Sequence, residues 1–203
     1  MILAYKVVSI VVFLVFCIYV FDIRNKKGME KLINNAWIAF MKLVASAMLF
    51  LYAYLVIVLQ TIHTTDYVAL GLTSLGTVLV VTAKVTLGKY HTWTGYHLKE
   101  TRIVNYGIYS RLRHPLYTGA ILFEIGTLLV MGPRILIDNA VIATVIALIY
   151  VYMIIFNITM ARQESEQMKQ KFGKAFDDYS SQVRAFWPIR KRPRNETIGE
   201  SNI

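Results

Sequence analysis

A single cysteine, Cys17, is all the chain contains, and it lies inside an apolar run. One thiol excludes an internal disulfide and a cysteine metal site, and it leaves the redox state of the compartment unreadable. No Gly-x-Gly occurs anywhere, so the glycine-rich turn of a soluble Rossmann nucleotide site is excluded. Charge is scarce as well: 17% of residues are charged against 56% apolar, far from the balance of a soluble domain. The little charge present leans one way, with 22 Lys and Arg against 12 Asp and Glu, a net +10.

Five apolar runs dominate: Ile2 to Phe21, Ala36 to Leu59, Tyr67 to Leu87, Leu116 to Met131 and Ile135 to Met160. Four are near or above the roughly 20 residues that span hydrocarbon, and the shorter fourth gains length from the turn at Pro115. The expected fold is all-α integral membrane, with five transmembrane helices and a tight fourth and fifth pair turning around Gly132 and Pro133. The first run has neither a basic segment before it nor a small-residue cleavage site after it, so it reads as a mature helix and not a signal peptide. Basic residues gather after the first run (Arg24, Lys26, Lys27, Lys31), before Leu116 (Lys89, Lys99, Arg102, Arg111, Arg113) and in the tail, while Gln60 to Asp66 has none. That asymmetry places the N-terminus outside, with the Gly88 to His114 loop and the C-terminus cytoplasmic. The positive charge then faces anionic headgroups of membrane lipids and needs no nucleic acid to explain it. Lys6, Lys42 and Lys84 lie toward run ends, where a long stem reaches the headgroups. Gly71 and Gly76 would allow close helix approach but are not spaced as a dimer motif.

The chain is organised around Gly107 to Gly119, GIYSRLRHPLYTG. Pro115 suits the first turn of a helix, where its missing N–H costs nothing. The N–H groups of Leu116, Tyr117 and Thr118 would then be unpaired and directed back at Arg111, Arg113 and His114, a spot suited to an anion. The plain alternative is the basic flank of a membrane helix.

Gly88 to His114 is long for a connection and rich in Tyr90, His91, Trp93, Tyr96, His97, Tyr106 and Tyr109, a content that argues for a functional loop; singly, each ring also suits an interfacial belt. His91 and His97 lack a third ligand at matching spacing, so no metal is expected. Glu124 lies two turns past Tyr117, at a depth where an unpaired carboxylate is costly. It is either functional or a neutral acid bonded to Asn157 or Thr127. Asp138 and Asn139 read as interfacial. After Met160, Met168, Phe172, Phe176, Tyr179 and Val183 recur at helical spacing, giving a cytoplasmic amphipathic helix that covers the loop or lies on headgroups. Residues 1–189 read as one domain and 190–203 as a basic, polar tail.

GIYSRLRHPLYTG, followed one hairpin later by RQESEQMKQKFGKAFDDYSSQV and Pro188, resembles the isoprenylcysteine carboxyl methyltransferase and phospholipid methyltransferase superfamily of membrane enzymes. The family's G-x-Y-x-x-x-R-H-P-x-Y-x-G matches at Gly107, Tyr109, Arg113, His114, Pro115, Tyr117 and Gly119. Its second motif matches at Arg162, Glu164, Phe172, Gly173, Tyr179 and Val183, and departs at Ser165 for a second carboxylate, Met168 for Leu and Phe176 for Tyr. The resemblance implies methyl transfer from S-adenosyl-L-methionine to a lipidic or prenylated acceptor, small molecule or protein. By the same resemblance, Arg113, His114 and Glu164 are catalytic, and Tyr109, Arg113, His114, Pro115, Tyr117, Gly119, Arg162 and Glu164 bind the cofactor. Tyr109 and Tyr117 would face its sulfonium, Arg113 and His114 its carboxylate, and Glu164 its ammonium. A carboxylate acceptor needs no general base, whereas an amine acceptor must lose a proton and would give Glu164 or His114 that duty. With Ser165 leaving one carboxylate, carboxyl methylation is favoured over phosphatidylethanolamine N-methylation. A steroid-reductase type of NADPH enzyme shares R-H-P-x-Y-x-G, but it carries Asn and Glu where this chain has Leu116 and Ala120. A non-enzymatic scaffold or transporter is the third reading.

Overall fold

The computed structural model describes residues 1–21, 29–31, 35–91, 96–98 and 101–186. Arg24, Lys26, Lys27, Trp93, Lys99, Pro188 and the basic run Arg190 to Arg194 lie outside the described residues, as do the side chains of Tyr96 and His97. Five helices are long and apolar enough to cross a membrane: α1 (Ile2–Val20), α2 (Asn35–Val58), α3 (Thr64–Leu87), α4 (Pro115–Asp138) and α5 (Ala140–Phe172). A short helix α6 (Lys174–Gln182) follows. Against this helical background stands an antiparallel ribbon of three residues a side, β1 (Met29–Lys31) on β2 (Tyr96–Leu98).

Many of the largest apolar side chains point outward; Phe50 is 75% exposed and Ile137 85%. Only a hydrocarbon solvent rewards that arrangement, and helices satisfy their own backbone there. The protein is an integral membrane protein. Inside, Phe16 of α1 stacks on Phe123 of α4 with ring centroids 3.6 Å apart, and Tyr52 of α2 meets the same ring edge-on.

The widest interface joins α3 to α4, and small residues explain it. A Cβ on Gly76 would stand 2.5 Å from the carbonyl oxygen of Gly119, and one on Gly119 2.6 Å from that of Gly76. Further along, a Cβ on Gly126 would stand 2.8 Å from the Ala69 carbonyl oxygen. The two backbones touch because neither has a side chain in the way. Gly76 thus serves close approach, while Gly71 meets nothing within 4 Å.

Two boundaries differ from the sequence reading. The fourth helix does not turn at Gly132 and Pro133 but runs through them to Asp138. The turn falls at Asn139, whose Oδ1 accepts from the N–H groups of Val141 and Ile142 at 3.0 and 3.1 Å and caps α5. A side chain that satisfies two orphan donors outweighs a proline whose lost bond a packed membrane helix tolerates. The amphipathic stretch after Met160 is likewise no separate helix at its start. It continues α5 unbroken to Phe172, and the break comes at Gly173, whose φ of +51° suits glycine.

Candidate active site

At one end of the bundle, residues of both motifs converge on a pocket of about 90 Å³. Gly107–Ser110 forms a 3₁₀ turn that leads into Leu112 and the start of α4. After α6 the chain lies parallel to this segment, bridging Leu112 to Arg184. The N–H of Arg113 donates to the Arg184 carbonyl at 2.9 Å and that of His114 to the Ala185 carbonyl at 3.0 Å. The Tyr179 hydroxyl donates to the Tyr109 carbonyl at 2.7 Å. The first motif is therefore strapped in place by the chain just beyond the second.

The pocket holds Tyr109, Arg113, His114, Tyr117 and Glu164 together. His114 is 7% exposed, and its Nε2 is 2.7 Å from the Ser165 hydroxyl. Its Nδ1 stands 4.0 Å from Glu164 Oε2, on a side chain 43% exposed. The Tyr117 ring meets the imidazole edge-on at 5.9 Å. Burial and the neighbouring charge of Arg113 push the His114 pKa down to about 3, so the imidazole is neutral at physiological pH. Burial and the carboxylate of Glu164 hold the Tyr109 phenol well above its usual value. Burial also raises Tyr179, to about 12. Arg113 lies with its guanidinium carbon 5.9 Å from the centre of the Phe176 ring, and its Nε is buried with no hydrogen-bond partner among the described residues. A buried, unsatisfied guanidinium nitrogen beside a cavity is a donor kept for something that arrives later.

Other predicted residues fall elsewhere. Pro115 occupies the first turn of α4, as its geometry suits. Gly119 is spent on the contact with Gly76. Arg162 and Arg111 are exposed and do not line the pocket. The expected trio of free donors at the helix start is smaller, because the Thr118 N–H bonds back to the His114 carbonyl at 2.9 Å. Glu124 lies deeper, 7% exposed, with Oε1 accepting from Asn157 Nδ2 at 2.8 Å.

Sequence reasoning missed the 101–104 segment as a pocket wall and the Arg184–Ala185 strap. Backbone acceptors carry no side-chain signature, so only the Val183 match pointed toward the strap. It also left open where Ser165 points; the hydroxyl faces the pocket and His114.

The residues suit a zwitterionic, cationic cofactor. Arg113 offers an unsatisfied donor to a carboxylate, Glu164 an acceptor to an ammonium, and Tyr109 and Tyr117 aromatic faces to a sulfonium, while Leu87, Val104, Leu116 and Met168 give an apolar slot. No curated protein matches the chain. A family model does, over residues 69–170, which run from early α3 through the hairpin to the second motif. With that match over half its length, this chain belongs to the isoprenylcysteine carboxyl methyltransferase (ICMT) family.

Proposed function

We propose that this methyltransferase moves a methyl group from S-adenosyl-L-methionine to the carboxylate of a prenylated cysteine or similar lipidic acid. The observation that carries this reading is the shared wall at Leu116. On one side lies the polar pocket of Arg113, His114 and Glu164, and on the other an apolar cavity of about 280 Å³ lined from α1 to α5. A site for an ionic cofactor thus abuts a site for a hydrocarbon chain.

When bound, the cofactor supplies an electrophilic methyl group on a sulfonium. Arg113 and Glu164 hold opposite ends of its amino-acid part, and Tyr109 and Tyr117 present aromatic faces to the cation. His114, kept neutral and tied to Ser165, positions the pocket and adds no positive charge against a sulfonium. The acceptor's carboxylate is already ionised, so no side chain has to remove a proton. The chain's main contributions are orientation and exclusion of water from a step in which opposite charges neutralise. Ser165 supports a carboxylate acceptor over an amine, because a second acid here would favour a cation and repel an anion.

The distribution of Lys and Arg supports a cytoplasmic location for this end of the bundle. The deciding experiment supplies purified protein with methyl-labelled cofactor and either an S-farnesyl cysteine analogue or phosphatidylethanolamine. Label on the cysteine analogue, released by mild base as an ester, is the expected result. Label on the amine lipid alone overturns the acceptor class.

A further inference from the structure

The apolar cavity is not apolar to its end. Phe16, Met48, Val80 and Phe123 form its walls together with the stems of Lys42 and Lys84, and Leu116 separates it from the methyl-transfer pocket. Glu124 also lines it, two turns of α4 from Leu116, about 12 Å along the helix. Asn157 of α5, 5% exposed, faces the same space and donates to Glu124 Oε1 at 2.8 Å. The nearby hydroxyls of Thr127 and Tyr150 are bonded to each other at 2.9 Å. Glu124 Oε2, by contrast, is buried and has no hydrogen-bond partner among the described residues.

An orphaned carboxyl oxygen among hydrocarbon is expensive, and packing alone would place Leu or Met here. Such a group gains from a polar partner that enters the cavity. The terminal torsion of a Glu side chain is soft, so a small rotation turns Oε2 toward the cavity. A plain hydrocarbon chain would leave that oxygen unpaired.

We propose that this cavity takes an acceptor chain bearing a hydroxyl near its far end, and that Glu124, held by Asn157, reads that hydroxyl. A hydroxyl is chosen over a carbonyl because it both donates and accepts, so it satisfies the carboxyl group whether or not that group carries a proton. That the occupant is the methyl acceptor rests on the function proposed above; the preference for a hydroxylated chain is a property of the cavity itself.

The test measures equilibrium binding to the purified full-length protein, without cofactor, of two S-farnesyl cysteine analogues that differ only in a hydroxyl at the chain's far end. The hydroxylated analogue should bind tighter by about ten-fold, the worth of one strong hydrogen bond. Glu124→Leu should abolish or reverse the preference, and Glu124→Gln, still able to bond, should keep most of it. Should Glu124→Leu unfold by stranding Asn157, the double variant Glu124→Leu, Asn157→Leu gives a matched apolar floor for the same comparison. Affinities within about two-fold in the unmodified protein, or a preference that survives both Leu variants, overturn the inference. Methyl transfer to the same analogues is scored separately. A binding preference without transfer would sink the acceptor reading and leave the hydroxyl site standing.

Discussion

The two ends of the α3 and α4 pair use buried charge in opposite ways. At the end remote from His114, Asp66 is fully buried, and Arg134 grips both its oxygens at 2.8 Å. Asp66 Oδ2 also accepts from the His63 N–H at 2.7 Å, and Arg134 donates to the Val130 carbonyl at 2.7 Å. At the other end, His114 and Glu164 stand 4.0 Å apart and Arg113 Nε has no partner among the described residues. The completed arrangement joins α3 to α4, whereas the incomplete one sets the residues just before α4 against Glu164 of α5. A completed network holds the fold together, while an incomplete one leaves hydrogen-bonding capacity open beside the pocket, as the function proposed above requires.

Breaking the completed end should have the largest effect. Arg134→Ala strands a buried carboxylate and should cost about 3–5 kcal/mol, read as thermal unfolding in detergent. Replacing both partners, as Asp66→Leu with Arg134→Met, should recover most of that loss. Cofactor affinity of the folded fraction should not move. A large change in affinity with stability intact would erase the contrast between the ends.

At the incomplete end the signs reverse. Arg113→Ala and Glu164→Gln should each weaken S-adenosylmethionine binding by about 1–3 kcal/mol, the range for a hydrogen bond to a charged group. Stability should change less than at the completed end, since Arg113 Nε has no partner among the described residues and Glu164 gives up only its bond with Tyr117, which the Gln amide can keep. Titration calorimetry beside a melting curve checks both halves.

Acid separates the ends again, because the Asp66–Arg134 pair contains no imidazole. His114 has a pKa of about 3 in the fold against 6.5 when unfolded. Its neutral form is the one the fold favours, so this contribution to stability is full above about pH 6.5 and is lost as pH falls toward 3. By pH 5 the loss should reach about 2 kcal/mol, and His114→Asn should flatten that slope. An unchanged slope in the variant would mean the imidazole is not the titrating group.

The ends also differed in how far they could be read in advance. Five spans and the helix start at Pro115 followed from apolar runs and a first-turn proline, because the membrane imposes both through backbone satisfaction. The hairpin turn did not follow: Pro133 suggests a break, and the cap at Asn139 prevails only once α5 is in place. Asp66 and Arg134 were visible as residues but not as a pair, being separated by two helices in sequence. That Tyr109, Arg113, His114, Tyr117 and Glu164 would come together was legible through the resemblance of two motifs, yet Gly119 took a packing place against Gly76, and the strap at Arg184 and Ala185 is made of backbone. Backbone contacts over such distances leave no trace in residue type.

Ser165 gives the smallest expected effect and the sharpest test of what the incomplete end is for. Its hydroxyl is 2.7 Å from His114 Nε2, so Ser165→Ala removes one partner of a buried imidazole and should cost about 1 kcal/mol. Because the hydroxyl is already engaged by the His114 ring and carries no charge, cofactor affinity should fall less than in Arg113→Ala. Ser165→Glu tests charge instead of orientation. A carboxylate at this distance from Nε2 would favour the imidazolium, so the His114 pKa should rise from its depressed value and the acid limb of the stability profile should move up in pH. The added negative charge should at the same time repel a carboxylate acceptor, raising its KM more than it lowers kcat. If Ser165→Glu leaves both the pH profile and the acceptor KM where they were, the second motif does not set acceptor charge in this protein.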